Sequence, residues 1–327
     1  MNMQTVRFDH GTPLPNARAI LRADDEAMLG RIAIASAPLD NAFTPTIIWY
    51  TIFAQNVHKL TRSAANLEYG AADSAPPDAL REPVSVHALA KILRMPYETV
   101  RRQVVGLEAQ GLCTRIPDKG LIVSNTTFAR PELLQQVALG SDLLRTLLVA
   151  LDRAGFDFAE LQRACATPAA AAVAHPARMR AVMRLGLEYT LELFEVLRRA
   201  MDDDLMKAVF YLAVVSANTR DAAANVEKEK GAVPDFGRAD ALVPDELRRP
   251  VSVLALSGAL KVPYETLRRA LGMLEDDGVL KRIKRLGLIV PAEVQARIEN
   301  EGLVRKRLSL LRRYMVDLQQ AGVALPG

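Results

Sequence analysis

Residues 81–123 can be laid on residues 248–290 without a gap, REPVSVHALAKILRMPYETVRRQVVGLEAQGLCTRIPDKGLIV against RRPVSVLALSGALKVPYETLRRALGMLEDDGVLKRIKRLGLIV, with 23 identities in 43 positions. A chain that carries one pattern twice must fold as something that holds two copies of a single supersecondary unit. At the same offset LLRTLLVALDRAGFDF (143–158) falls on LLRRYMVDLQQAGVAL (310–325), and upstream IIWYTIFAQNVHKLTRSAANLEYG (47–70) has a looser counterpart in AVFYLAVVSANTRDAAANVEKEKG (208–231). The repeated unit is about half of the 327 residues.

In SVHALAKIL the apolar positions Val86, Leu89, Ile92 and Leu93 recur at helical spacing, and Ser85 precedes them as an N-cap, which predicts a short helix. Arg94 and Met95 form a tight connection. Pro96 suits the first turn of a second helix, because its missing N–H would have had no partner there. That helix runs to about Gln110, with Val100, Val104 and Leu107 as its buried stripe and Glu98 and Arg102 on nearly the opposite side; Gly111 supplies the stop. LCTRI, PDKG and LIV then read as strand, turn and strand, and the second copy gives VLKRI, KRLG and LIV. Helix, tight turn, helix and hairpin make a winged helix-turn-helix, whose second helix enters a DNA major groove while the hairpin lies along the backbone.

The block resembles the winged-helix DNA-binding domains of bacterial transcriptional regulators, broadly the GntR-like and MarR-like kinds, through Ala88 and Leu89, the Thr-Val-Arg-Arg run at 99–102, Leu107 and Glu108, Gly111 and Leu112, and Gly120. The resemblance covers about 43 residues in each half and implies a recognition helix from Pro96 (Pro263 in the second copy) and a wing around 117–120 (284–287). Where many relatives have Ser or Thr at the start of that helix, this chain has proline. Tandem winged helices in one chain are also similar in architecture to plasmid replication initiators, and to accessory subunits of chromosome-condensing complexes in which winged helices serve protein contacts. Both stay open as alternatives.

Candidate DNA contacts follow from the block. Arg101, Arg102, Arg268 and Arg269 can bind phosphates or fork onto guanine O6 and N7; otherwise Glu98 with Arg102, and Glu265 with Arg269, are i, i+4 surface pairs. Tyr97 and Tyr264, on the first turn, either reach phosphate or a thymine methyl, or pack between helix and wing. Thr99 and Thr266 sit near a helix N-terminus that favours anions. The wings differ: Lys281, Arg282, Lys284 and Arg285 carry four charges with no acid among them, whereas Arg115 and Lys119 are offset by Asp118. The second wing is the stronger phosphate-binding candidate.

The expected fold is mainly α and internally duplicated, each half a helical body plus a winged helix-turn-helix with a short β-hairpin wing. The predicted order is a mobile arm (1–16), body (17–68), winged helix (81–124), closing helix (131–165), linker (166–176), second body (177–230), second winged helix (248–291) and second closing helix (292–327). The stretches 69–82 and 231–249, rich in Ala, Asp, Gly and Pro, read as further linkers. An apolar content of 50% with only 5% aromatics favours helices packed through Ala, Leu, Val and Ile. Trp49, Tyr50 and Phe53 with Phe210 and Tyr211 are either plain core or the wall of an effector pocket. Asp202, Asp203 and Asp204 read as the acidic start of a helix.

Other function classes find little footing. The four histidines are scattered, Leu254 replaces His87 in the second copy, and no P-loop, nucleophile elbow or dinucleotide fingerprint occurs. Cys113 and Cys165 imply no disulfide framework. A net charge of +4 permits nucleic acid as a partner without requiring it. The expectation is a cytoplasmic regulator that binds double-stranded DNA, with no metal, cofactor or catalysis, open to a small-molecule effector and to homodimerisation.

Overall fold

The computed structural model describes residues 16–40, 42–164, 178–220 and 241–326. The arm other than Asn16, Cys165, the 166–176 linker and most of the 231–249 linker lie outside the described residues. Among those described are thirteen α-helices and two two-stranded antiparallel sheets.

The body is built from helices that are apolar on more than one side. α1 (Ala17–Ser36) and α2 (Phe43–Thr61) come first, with the short α3 (Ala65–Glu68) behind them. In α2 Ile48, Trp49, Ile52, Phe53 and Val57 are all buried, so the helix is enclosed. α8 (Met179–Arg199) and α9 (Leu205–Thr219) repeat the arrangement, and Val209 to Val215 are buried at every position. Asp204 caps α9 by accepting from the Lys207 amide. Asp202 and Asp203 do not start that helix: both take left-handed backbone in the preceding turn, where Asp203 pairs with Arg198 and with Arg94.

The 43-residue segments each hold the same elements. The first contains α4 (Val86–Leu93), α5 (Tyr97–Ala109), β1 (Thr114–Ile116) and β2 (Gly120–Ile122); the second contains α10 (Val253–Leu260), α11 (Tyr264–Asp276), β3 (Lys281–Ile283) and β4 (Gly287–Ile289). Ser85 and Ser252 cap α4 and α10, each accepting from an amide three residues on at 3.1 Å. Arg94 and Lys261 make the turns in left-handed backbone. Pro96 and Pro263 stand at the N-cap, one residue earlier than the sequence predicts, extended in ψ but with their carbonyls already accepting from Val100 and Leu267. Val100, Val104 and Leu107, matched by Leu267, Leu271 and Leu274, are each at most 1% exposed, and burying one such side chain contributes about 1.5–3 kcal/mol.

The closing region is two helices in each half. α6 (Pro131–Arg153) is followed by α7 (Phe158–Ala164); α12 (Ala292–Ile298) precedes α13 (Glu301–Gln320), whose start is capped by Asn300. By length and composition α6 is the one helix among the described residues that is apolar enough to cross a bilayer. It packs along α1, with Leu133, Val137, Leu144 and Leu147 buried.

The halves interlock. α1 lies along α6 and also against α9 and α13, while α8 lies along α13 and also against α2 and α6. His58 on α2 meets Glu188 on α8 at 3.1 Å, and Arg220, just past α9, meets Glu26 on α1 at 3.3 Å. The 69–82 stretch is not a free linker: Arg180 donates its amide to the Gly70 carbonyl and its Nε to that of Ala72, and Arg81 within it is buried.

Candidate nucleic-acid interface

An asparagine in the body holds each hairpin. The Asn56 side chain donates to the carbonyls of Glu82 and Leu121 at 2.7 and 3.0 Å and accepts from the Val123 amide at 2.8 Å. Asn218 does the same to Arg249, Leu288 and Val290 at 2.8, 3.1 and 2.9 Å. A primary amide presents a donor and an acceptor at peptide spacing, so it stands in for a strand along β2 or β4. Both residues are buried, where an unmatched polar group would be costly. The sequence match of 47–70 to 208–231 sets Asn56 against Ala217, one residue off; helical burial on all sides gave no periodicity to fix that register.

A third strand position completes each sheet. Val84 bridges Leu121 and Val251 bridges Leu288. Gly120, with φ 124°, lies so close that a Cβ would meet the Val84 carbonyl oxygen at 2.6 Å; Gly287, with φ 141°, lies closer still to that of Val251. Asp78 and Asp245 accept from the Asn125 and Ala292 amides, both at 2.7 Å, and pair with the buried Arg81 and Arg248. These contacts fix each hairpin and its flanking segments to the body.

The polar outer faces of α5 and α11 stay in solvent. Tyr97 and Tyr264 are 51% and 44% exposed, so each ring is open to solvent on one side, and Tyr264 also lies near Arg282 of the second hairpin. Thr99 is half-buried and Thr266 exposed. The alternative i, i+4 pairs do not form: Glu98 takes Arg101 at 2.6 Å and Glu265 takes Arg268 at 2.9 Å, both at i, i+3. The Arg101 hydrogen bond holds the Glu98 carboxyl below the usual carboxylate range. Arg102 and Arg269 are exposed and take no hydrogen bond or ion pair among the described residues.

The two hairpins carry less free charge than a residue count implies. Arg115 is held at 3.0 Å by Glu108 on α5, not by Asp118, and Arg282 is paired with the equivalent Glu275 on α11. That leaves Lys119 on the first wing, and Lys281, Lys284 and Arg285 on the second, all exposed. Arg285, at φ 66°, turns the second hairpin where Asp118 turns the first.

The five aromatics of the candidate pocket separate. Trp49, Tyr50 and Phe53 line a cavity of about 100 Å³ between α1, α2, α6 and α8. Phe210 packs on Phe43 instead, at 6.1 Å between ring centres, and the Tyr211 hydroxyl donates to Glu299 at 2.9 Å in a separate ionic cluster. In that cluster Arg18 pairs with Glu299 and Arg307 with Asp25, with Asp24 at 3.7 Å. Three carboxylates face two guanidinium groups, and burial pushes the Asp25 carboxyl up to about 7. Burial likewise pushes the Cys113 thiol up to about 12, where it is inert as a nucleophile. No cluster of three or more His, Cys, Asp or Glu suited to a metal occurs among the described residues.

Compared with models of protein families, with curated proteins and with solved structures, the chain matches none.

Proposed function

We propose that this protein is a sequence-specific, double-stranded-DNA-binding transcriptional regulator, internally duplicated, with two winged helices in one chain. The carrying observation is that α5 and α11 each present an exposed Tyr, Glu and Arg-Arg pair with one unpaired arginine, Arg102 or Arg269, while an asparagine clasp fixes each helix's hairpin to the body. In this reading the recognition helices enter major grooves and the wings follow the phosphates, with Lys281, Lys284 and Arg285 giving the second wing the larger electrostatic share.

The body supports a pseudo-dimer. Arg18, Ala19 and Arg22 align with Arg180, Ala181 and Arg184 at the offset that also sets Asn56 on Asn218 and Glu26 on Glu188. The His58–Glu188 and Arg220–Glu26 contacts are then one contact made twice across the halves, the signature of a two-fold interface. Covalent linkage raises the effective concentration of the second head once the first is bound.

The test is the salt dependence of binding to duplex DNA. The expected result is a steep negative slope that becomes shallower when Arg102 and Arg269 are both changed to alanine; absence of binding at low salt overturns the reading. A protein-binding scaffold is favoured by one observation, the exposure of Leu254 (71%) and Met273 (51%) on the second head. Loss of function on changing those two, with Arg102 and Arg269 dispensable, would favour that alternative.

A further inference from the structure

The cavity of about 100 Å³ between α1, α2, α6 and α8 is walled by Trp49, Tyr50, Phe53, Phe128, Leu144 and Phe194 among others. Its polar lining groups are mostly occupied. Thr46, Ser141 and Thr190 donate their hydroxyls to carbonyls of their own helices, at 2.6, 3.1 and 2.7 Å, and the Gln136 amide donates to Ile34 at 2.9 Å. Arg31 is the exception. Its two terminal guanidinium nitrogens are buried, no carboxylate lies within ion-pair distance among the described residues, and the Tyr314 hydroxyl beside it is a neutral acceptor. It is held instead over the stacked rings of Tyr189 and Tyr314, 5.3 and 5.4 Å from their centres. A guanidinium whose buried nitrogens face no balancing carboxylate is costly, and a planar carboxylate is the group whose two oxygens match its fork.

We propose that this cavity binds a small monocarboxylate, its carboxylate on Arg31 and its short branched aliphatic part among the aromatic wall. Size limits the apolar part to something smaller than a ring, since a cavity of about 150 Å³ is what holds benzene and this one is about 100 Å³. The position equivalent to Arg31 in the second half is Leu193, so the site belongs to one half only. Binding at this cavity stands apart from the DNA-binding reading and survives its failure.

Trp49 is the single tryptophan of the chain and lines the cavity, while its Nε1 donates to the Leu112 carbonyl just past α5 at 2.7 Å. Its fluorescence therefore reports both the cavity and the packing beneath the first head. The experiment titrates full-length protein with 2-methylpropanoate and with 3-methylbutanoate, using 3-methylbutan-1-ol as the uncharged counterpart of the latter. The expected result is a saturable change in Trp49 emission with a rise in melting temperature for at least one acid, and at least tenfold weaker binding of the alcohol. Arg31→Met is expected to weaken acid binding by at least thirtyfold. Because that change also removes the tyrosine stacking, Gly140→Leu serves as the second variant: Gly140 lines the cavity, a Cβ there meets nothing within 4 Å, and filling the space blocks the ligand while the fold is retained. No saturable response to either acid, equal binding of the alcohol, or undiminished binding in both variants overturns the proposal.

Discussion

The two 43-residue segments agree at the residues that set their backbones and differ at many that meet solvent. Serine caps, left-handed turn residues, buried helix stripes and wing glycines recur position by position. On the outside, Asp118 becomes Arg285, Lys119 becomes Leu286, and Gln110 becomes Asp277. The body ends beneath them diverge more. At the first, Arg184 donates to Asn66 and Tyr69 and Arg180 to Ala72 and Phe128, neutral oxygens that do not titrate. At the second, Arg18 and Arg307 face Asp24, Asp25 and Glu299. The same scaffold thus carries two surfaces and two buried chemistries, which shows that geometry and chemistry are separable in this fold.

Breaking the shared geometry is expected to have the largest effect. Gly287→Ala or Gly120→Ala drives a Cβ into a strand carbonyl, and Asn56→Ala or Asn218→Ala strips three hydrogen bonds from buried backbone. Each is expected to cost about 2–4 kcal/mol in urea unfolding, similarly in the two halves. A cost confined to one half would separate scaffolds that otherwise match.

The buried chemistries differ in pH response. Asp25 loses its proton near 3.9 when unfolded and near 7 when folded, so between these values the native state binds the extra proton. Stability is then expected to fall as pH rises from about 4 to 7, by at most about 1.4 kcal/mol per pH unit, and Asp25→Asn to flatten that dependence. An unchanged slope in the variant would assign the titration elsewhere.

The wings come next. Changing Lys281, Lys284 and Arg285 together to alanine is expected to reduce the salt slope of DNA binding by up to about 0.9 per lost phosphate contact, and Lys119→Ala by no more than one such step. Equal changes would remove the asymmetry between the heads. The smallest contrast lies within one helix: Arg102→Ala is expected to weaken binding more than Arg101→Ala, since Arg101 is already engaged by Glu98.

Much of this organisation was legible in the chain itself. Ser85, the 94–95 turn, the Val100, Val104 and Leu107 stripe, Gly111 and the hairpin all announce themselves through local spacing, because short amphipathic helices and tight turns are decided by neighbours in sequence. Spacing could not choose the Glu98 partner, because i+3 and i+4 residues are both within reach on a helix surface and rotamers decide between them. The Glu108–Arg115 and Glu275–Arg282 pairs join a helix to a strand and have no sequence spacing of their own.

The sequence alone determined that the chain holds one pattern twice, that the pattern is helix, turn, helix and hairpin, and that its second wing is the more basic. Those properties rest on composition and on contacts a few residues apart. Only the tertiary structure decided that α1 and α8 each pack across into the opposite half, that Asn56 and Asn218 clasp the hairpins, that five aromatics divide among three places, and that Arg31 lines a cavity with no carboxylate paired to it. Each joins residues tens to hundreds of positions apart, on helices buried so completely that no periodicity marks which face meets which neighbour.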